Sequence, residues 1–199
     1  MAQMISQYED RLRESLKAIN VEQRVSFSAA CAQQLFPLYE LFVSSTGQGD
    51  LTTLGQSLDI AWSLDESSAV ARRDVEEAQR SAESLVPHDD DDDWTLLRPL
   101  AQNAAASVAY ALRTWLHDDP QEAVWSARQL HEAADYLVQR GGTFHTYFDG
   151  TDVEASIGLA IDGIDAALNG ATSIPRLDLR AEMVRLGTRL GELADEAFG

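Results

Sequence analysis

The chain has 199 residues and a formal net charge of −18 at pH 7. A protein this acidic lacks the clustered positive charge that nucleic acid or an anionic membrane attracts, so we expect it to bind neither. The length suits one sizeable core, and neither a long apolar run nor a charged-then-apolar leader is evident. We therefore expect a single domain over residues 1–199, located in the cytoplasm.

Apolar spacing and one capping motif define the first helix and the start of the second. Asn20 and Gln23 fit a capping box, in which each side chain satisfies a backbone N–H of the other residue. We expect the second helix to begin at Val21. Before it, apolar residues spaced three or four apart predict an amphipathic helix. These residues are Ile5, Tyr8, Leu12, Leu16 and Ile19.

The second helix is predicted to lie at the centre of the fold. One apolar stripe runs from Val25 to Val43 and another from Phe27 to Phe42 on nearly the opposite side, so both sides need packing partners. Pro37 falls on a polar strip between the stripes, which we expect to face water. A carbonyl that loses its donor can be solvated there, so the helix should kink rather than break. The strip consists of Ser26, Gln33, Glu40 and Ser44.

Residues 46–50, TGQGD, are predicted to end this helix and to begin the third. One glycine can take the left-handed conformation that follows a helix end, and Asp50 can cap the next helix. A phosphate-binding interpretation of these glycines is disfavoured, because no strand precedes them and Asp50 would repel an anion. The apolar stripe of the third helix is Leu51, Leu54, Leu58 and Trp62.

Three short motifs follow one another along this helix pair. Residues 37–42 fit P-x-Y-x-x-F, residues 46–50 fit T-G-x-G-D, and residues 58–62 fit L-D-x-x-W. In this order and spacing they resemble the signature of the YjaG-like family, a group of bacterial all-helical proteins described only as a domain of unknown function. Gln48 stands where that family often has an aromatic residue, and residues 143–199 match it only loosely. The resemblance implies an all-helical fold and brings no activity with it.

The fourth helix is predicted from its caps and its charge pattern. Ser67 and Ser68 offer caps for a highly charged helix that runs to about Leu85. Its sparse apolar face predicts a position at the surface of the protein. A short acidic loop, residues 88–93, should follow it.

The fifth helix is expected from Trp94 to about His117, with Asp93 as its cap. Pro99 should delay the regular part of this helix by about a turn. Residues 101–111 are rich in alanine, which lets the backbone of a neighbouring helix approach closely. The fifth helix is therefore expected in the interior.

The last three helices are indicated by strong start and stop signals. Residues 119–122 combine a capping aspartate, a proline and a glutamate, which is typical of a helix start. That sixth helix should end at the glycine pair 141–142, and a seventh should end near Gly170. Apolar spacing from Leu179 to Leu193 predicts an eighth. The sequence therefore predicts an all-α protein of about eight helices, bundle-like or orthogonally packed around the Pro37-kinked helix.

No pattern for a cofactor, a metal or a catalytic centre stands out. Residues 89–93 are all aspartate but lack the spaced ligands of a calcium loop. The His117-Asp118 pair resembles a metal phosphohydrolase dipeptide without the further ligands that such sites need. His131 begins an incomplete version of the zinc protease helix. Cys31 lies within an apolar stripe with no basic neighbour to activate it.

A basic protein is the partner that the charge pattern favours. Residues 114–170 contain ten acidic residues against two arginines, so this part of the surface should attract positive charge. Residues 143–150 add three aromatic residues, which are common anchors in interfaces. Equally, the aromatic residues could fold onto the core. The candidate contact residues are Phe144, Tyr147, Phe148, Asp118, Asp119, Asp149 and Asp152.

The leading functional hypothesis is non-catalytic protein binding, with an immunity-type inhibitor of a basic toxin as its most concrete form. One alternative is an enzyme whose active-site residues come from separate helices and so form no local motif. Another is an oligomeric scaffold protein, and a homo-oligomer is compatible with the sequence in each case.

Overall fold

A computed structural model of the chain describes residues 2–65, 69–88, 95–140 and 152–198. Within these residues lie eight α-helices and no strand, which confirms the predicted all-α fold. The helices are α1 (Ala2–Lys17), α2 (Val21–Thr46), α3 (Leu51–Ser63), α4 (Arg72–Ser84), α5 (Arg98–His117), α6 (Pro120–Arg140), α7 (Asp152–Ser173) and α8 (Arg176–Phe198). None of these described helices combines the length and the apolar character needed to cross a membrane.

The second helix lies at the centre of the fold, as predicted. It packs against α3, α5, α6, α7 and α8, while α1 lies on α6 and α4 lies on α3 and α5. Both predicted stripes are needed for this packing, since Val25 and Tyr39 of one and Phe27 and Leu35 of the other are fully buried. The helix continues without a break through Pro37. Buried apolar residues from all eight helices form one continuous cluster.

The predicted caps of α2 and α3 are confirmed. Asn20 and Gln23 each accept the backbone N–H of the other, at 2.9 and 3.1 Å. Gly47 follows the end of α2 with φ of 70°, in the left-handed region that glycine adopts readily. Asp50 accepts the N–H of Thr53 at 3.0 Å and so caps α3.

The polar strip of α2 does not face water along its whole length, which corrects the prediction. Ser26 and Gln33 are only 5% and 8% exposed. Gly187 of α8 lies so close that a Cβ there would be 3.1 Å from the Gln33 carbonyl, and a Cβ at Gly191 would be 2.9 Å from that of Pro37. The carbonyl that Pro37 leaves without its helical donor therefore faces a helix, because glycines at these two positions let α8 pack against the strip.

The starts of α4 and α5 lie later than the sequence predicted. The residue before α4 is Ala71, which makes no side-chain cap, and the expected caps Ser67 and Ser68 lie outside the described residues. The fifth helix begins at Arg98 rather than Trp94, with Pro99 in its first turn. Proline is favoured in the first turn of a helix, where its missing N–H would lack a helical acceptor anyway.

The end of α7 is also corrected by the structure. The helix continues past Gly170 to Ser173. A Cβ at Gly170 would lie 2.4 Å from Cδ1 of Leu179, so this glycine allows α8 to approach α7 closely. A glycine that the sequence indicates as a stop signal is here a helix-packing residue.

Candidate functional site

The predicted contact residues are divided between the described and the undescribed parts of the chain. Residues 141–151 lie outside the described residues and include Phe144, Tyr147, Phe148 and Asp149; Asp152 begins α7, but its side chain is likewise outside. Asp118 and Asp119 lie just before α6, whereas the aromatic segment follows its end. The 21 residues of α6 separate these two ends by about 30 Å.

Asp118 and Asp119 are exposed, but both have structural partners. Asp118 has φ of 53°, a left-handed conformation that aspartate tolerates better than most residues, and its N–H donates to the carbonyl of Thr114. Its carboxylate pairs with Arg24, which also donates to two carbonyls at the end of α1 and the turn after it. Asp119 accepts the N–H of Gln121 at 2.9 Å. Both residues therefore help to hold the junction of α5 and α6.

A buried carboxylate organises the same junction. Oε1 of Glu122 accepts from Arg113 at 2.8 Å and lies 3.0 Å from Nδ1 of His117. Glu122 is only 4% exposed, and its Oε2 makes no hydrogen bond within the described part of the chain. We call Arg113, His117, Asp118, Asp119 and Glu122 the α5–α6 corner. The sequence indicated only a helix-start role for Glu122, because its contacts with α5 depend on how the two helices pack.

The corner contains one element of acid–base chemistry. A carboxylate bound to Nδ1 of a histidine orients the ring and leaves Nε2 for another partner. Within the described residues, no group of three or more His, Cys, Asp or Glu side chains could hold a metal ion. Burial raises the pKa of the Cys31 thiol, which is fully enclosed and so stays protonated.

The residues of the three sequence motifs all have internal partners. The hydroxyl of Tyr39 accepts the N–H of Asp50 at 3.3 Å, and Gly49 lies against that ring with φ of 87°. The indole of Trp62 donates to Gln33 at 3.1 Å, and Asp59 pairs with Arg180 of α8. We call residues 37–42, 46–50 and 58–62 the signature hairpin. These contacts hold the motif residues within the fold.

Carboxylates also occur on α6 and α7, which pack against each other. We call Glu132, Asp135, Asp162 and Asp165 the acidic face; the first two lie on α6 and the others on α7. None of the four forms an ion pair among the described residues, although Tyr8 of α1 donates to Asp165 at 3.4 Å. Arg128, the nearby base on α6, is held by Glu9 through contacts of 2.6 and 2.5 Å.

Burial and neighbouring charges together change the acidity of Glu132. Much of this side chain touches solvent, but the atoms packed around its carboxylate desolvate it, and this burial is the main reason that its pKa is raised. Arg128 opposes the shift, while the negative charges of Glu9 and Asp135 raise the pKa further.

A cleft of about 310 Å³ opens between the start of α2, the end of α3 and the turn from α7 to α8. Its polar lining includes Glu22, Gln23, Ser26, Asp65 and Arg176. The Arg176 guanidinium donates to the carbonyls of Trp62 and Glu22, at 3.1 and 3.3 Å, and to that of Leu64. Burial lowers the pKa of Arg176, and the charges of Asp65 and Glu22 oppose that effect. We call this region the α7–α8 cleft.

Sequence reasoning missed the α7–α8 cleft because its residues come from distant parts of the chain. Ser26 was predicted to face water on the polar strip, but it is only 5% exposed and lines the cleft. No local pattern places it beside residues near position 175.

Comparison with known proteins gives one family and one fold. Residues 11–136 match the family model described as "Protein of unknown function (DUF416)". The crystal structure of a DUF416 family protein from Shewanella baltica OS155 is similar with a TM-score of 0.67, at 17% identity, covering 87% of this chain and 93% of that one. At that identity the similarity establishes the fold alone. No curated protein matches the chain.

Proposed function

Because the chain belongs to the DUF416 family, whose function is unknown, we propose from its own surface that it is a non-catalytic protein that binds a basic protein partner. The most concrete form of this proposal is an immunity-type inhibitor of a basic toxin. A cytoplasmic location and membership of the YjaG-like group, on the three motifs of the signature hairpin, are parts of the same proposal.

The observation that supports this proposal is the acidic face. Four carboxylates on α6 and α7, two helices that pack against each other, form no ion pair among the described residues, and Arg128 on α6 is held by Glu9. Several other arginines are bound inside the fold, including Arg24 and Arg176, so they compensate little of the surface charge. Such a field speeds the association of a positively charged protein and disfavours nucleic acid. The aromatic residues 144, 147 and 148 lie in the segment that joins α6 to α7.

The proposal is tested by capture and then by matched variants. The immobilised protein is incubated at low salt with an extract of the organism that encodes it. A basic protein that is retained is identified, purified and assayed for binding. We expect Glu132→Gln with Asp162→Asn to slow its association about tenfold, and raised salt to act in the same direction. The matched control is Glu40→Gln with Glu77→Gln, which removes two exposed charges from α2 and α4. Retention of no basic protein, or equal effects of the two pairs, would contradict the proposal.

An enzyme is the second candidate, favoured by the α5–α6 corner. Glu122 holds His117 through Nδ1, as in many general bases, and Nε2 of that ring makes no hydrogen bond within the described residues. The genes beside the coding sequence discriminate between the two candidates. A toxin gene immediately upstream supports an immunity function, whereas a metabolic operon supports an enzyme.

A further inference from the structure

The last helix has apolar residues on two sides, and the described helices cover only one of them. Its buried side, which includes Met183 and Leu190, packs against α2, α6 and α7. On the other side Leu177 is 80% exposed and Val184 is 45% exposed. Spacing of three or four residues places these two and their neighbours along one line of the helix. We call this line the α8 stripe, and its members are Leu177, Ala181, Val184 and Thr188.

Exposed apolar side chains are concentrated at this stripe. The described part of the chain has five large apolar side chains that are exposed, and three of them are Ile174, Leu177 and Val184. Ile174 lies in the turn just before α8. The Thr188 hydroxyl donates to the Val184 carbonyl at 2.9 Å, so covering it leaves no unsatisfied donor. Clustered rather than scattered apolar side chains mark an interaction surface.

The charges beside the stripe are ordered along the helix. The exposed residue Asp178 lies near the start of α8, and the exposed residues Arg185 and Arg189 follow about two and three turns later on the same side. Neither Asp178 nor Arg185 forms an ion pair among the described residues, whereas Arg189 pairs with Glu192 of its own helix at 3.0 Å. One end of this side is therefore acidic and the other is basic.

A second copy of the chain fits this order when its α8 runs in the opposite direction. If Ala181 of each copy lies beside Val184 of the other, then Asp178 lies between Arg185 and Arg189 of the other copy. The contact is self-complementary, since the two-fold axis repeats every pairing. Helices in the parallel direction would instead bring like charges together.

The overall charge of the chain also favours this side for self-association. Two copies with a net charge of −18 each repel one another. Residues 177–189 differ from the rest of the chain, because they contain three arginines against two acidic residues. Two copies that meet through α8 therefore keep their most acidic surfaces apart.

We propose that the α8 stripe is a two-fold interface between two copies of this chain, with the α8 helices antiparallel. The proposal is independent of the basic partner, because it uses none of the residues of the acidic face. The stripe is about 17 Å long, so the contact is small and the dimer is weak, with a dissociation constant of about 10–100 µM.

The first test is sedimentation equilibrium of the full chain at about 0.15 M salt, where repulsion beyond about 8 Å is screened. The average mass should rise with concentration from that of one chain towards that of two. Val184→Glu should weaken the dimer about tenfold or more. Leu96→Glu is the matched control, because Leu96 is also 45% exposed but lies before α5, and it should leave the dimer unchanged.

The second test reverses the charges. Asp178→Lys and Arg185→Glu should each weaken the dimer about fivefold, although they change the net charge in opposite directions. The two substitutions combined should give a tighter dimer than either alone, because the antiparallel contact again brings opposite charges together. A residue that only stabilises the folded chain would not give this recovery.

Three results would overturn the proposal. One is a mass that stays at that of a single chain up to about 1 mM, well above the expected dissociation constant. Another is an equal effect of Val184→Glu and Leu96→Glu, and the third is a combined charge reversal that associates no better than the single ones. Circular dichroism melts identify variants that do not fold, and the charge-reversal set decides the question if Val184→Glu is unfolded.

Discussion

The signature hairpin and the α5–α6 corner both join neighbouring helices, but different interactions hold them. In the hairpin, shape dominates: Gly49 gives room to the Tyr39 ring, and the hydroxyl of that ring accepts a backbone N–H. In the corner, charge dominates, because one carboxylate at 4% exposure holds an arginine and a histidine. The hairpin carries the three family-like motifs, and the corner carries none of them.

This difference explains why the family resemblance brings a fold and no activity. The motif residues have partners inside the fold, with Tyr39 bound to Asp50 within the motifs and Trp62 bound to Gln33 outside them. One buried polar atom that lacks a hydrogen-bond partner among the described residues, Oε2 of Glu122, lies outside the motifs. For this protein the recognisable sequence pattern marks folding contacts.

The largest expected effect tests the role of shape in the hairpin. Gly49→Ala places a Cβ 2.6 Å from the Tyr39 hydroxyl oxygen at φ of 87°, whereas Gly47→Ala at φ of 70° meets no atom within 4 Å. We expect Gly49→Ala to lower the free energy of unfolding by about 2–4 kcal/mol, and Gly47→Ala by about 1–2 kcal/mol from backbone strain alone. Urea unfolding followed by circular dichroism measures both. Equal losses would show that Tyr39 does not confine Gly49.

The next effect tests the role of charge in the corner. Glu122→Ala leaves Arg113 and His117 without their shared acceptor, and we expect a loss of about 2–3 kcal/mol in the free energy of unfolding. Glu83 is the control, because it also faces Arg113 but at 3.7 Å and with its side chain 47% exposed. Glu83→Ala should cost less than about 1 kcal/mol. Similar losses for the two substitutions, measured by the same urea unfolding, would argue against a special role for the buried carboxylate.

The smallest expected effect concerns the pH dependence of stability and Asp50, the residue of the signature hairpin that caps α3. Hydrogen bonds from the Thr53 side chain and backbone hold the pKa of Asp50 below its ordinary value of 3.8. A lowered pKa in the folded state means that this carboxylate stabilises the protein above the ordinary value and loses that contribution as the pH falls through the lowered one. Asp50→Asn keeps the cap but does not titrate.

Thermal melts from neutral to strongly acidic pH measure this effect. The stability of the natural protein relative to Asp50→Asn should fall only in the acidic window, whereas Asp50→Ala should lower the melting temperature already at neutral pH. A constant difference between the natural protein and Asp50→Asn across that window would mean that the carboxylate charge contributes nothing to the cap.

Much of the fold could be predicted because its signals are local. The Asn20–Gln23 capping box, the left-handed Gly47 and the helix start at Pro120 each depend on a few consecutive residues and on backbone rules. Apolar periodicity likewise indicated the two buried stripes of α2 without knowledge of its neighbours. Such features form with the same geometry in almost any context, so the residues themselves determine them.

The candidate site could not be predicted in the same way. Asp118 and Asp119 were chosen for their charge, which the sequence shows, but their bonds to Arg24 and to the start of α6 depend on folding. Glu122 was recognised as a helix-start residue, and its contacts with Arg113 and His117 required the angle between α5 and α6. Distances between helices are set by packing, which no local pattern encodes.

The sequence by itself therefore determined the helical class, the central position of α2 and the caps of its ends, because hydrogen bonds and periodicity act over a few residues. Only the tertiary structure decided what covers each helix. Gly187 and Gly191 let α8 pack on the polar strip of α2, which was predicted to face water. Helix α7 continues past Gly170, which was predicted to end it, and Ser26 lines a cleft beside Arg176. These outcomes depend on which helix surfaces pack together. Whether a polar group is buried therefore depends on that packing and not on the residue type alone.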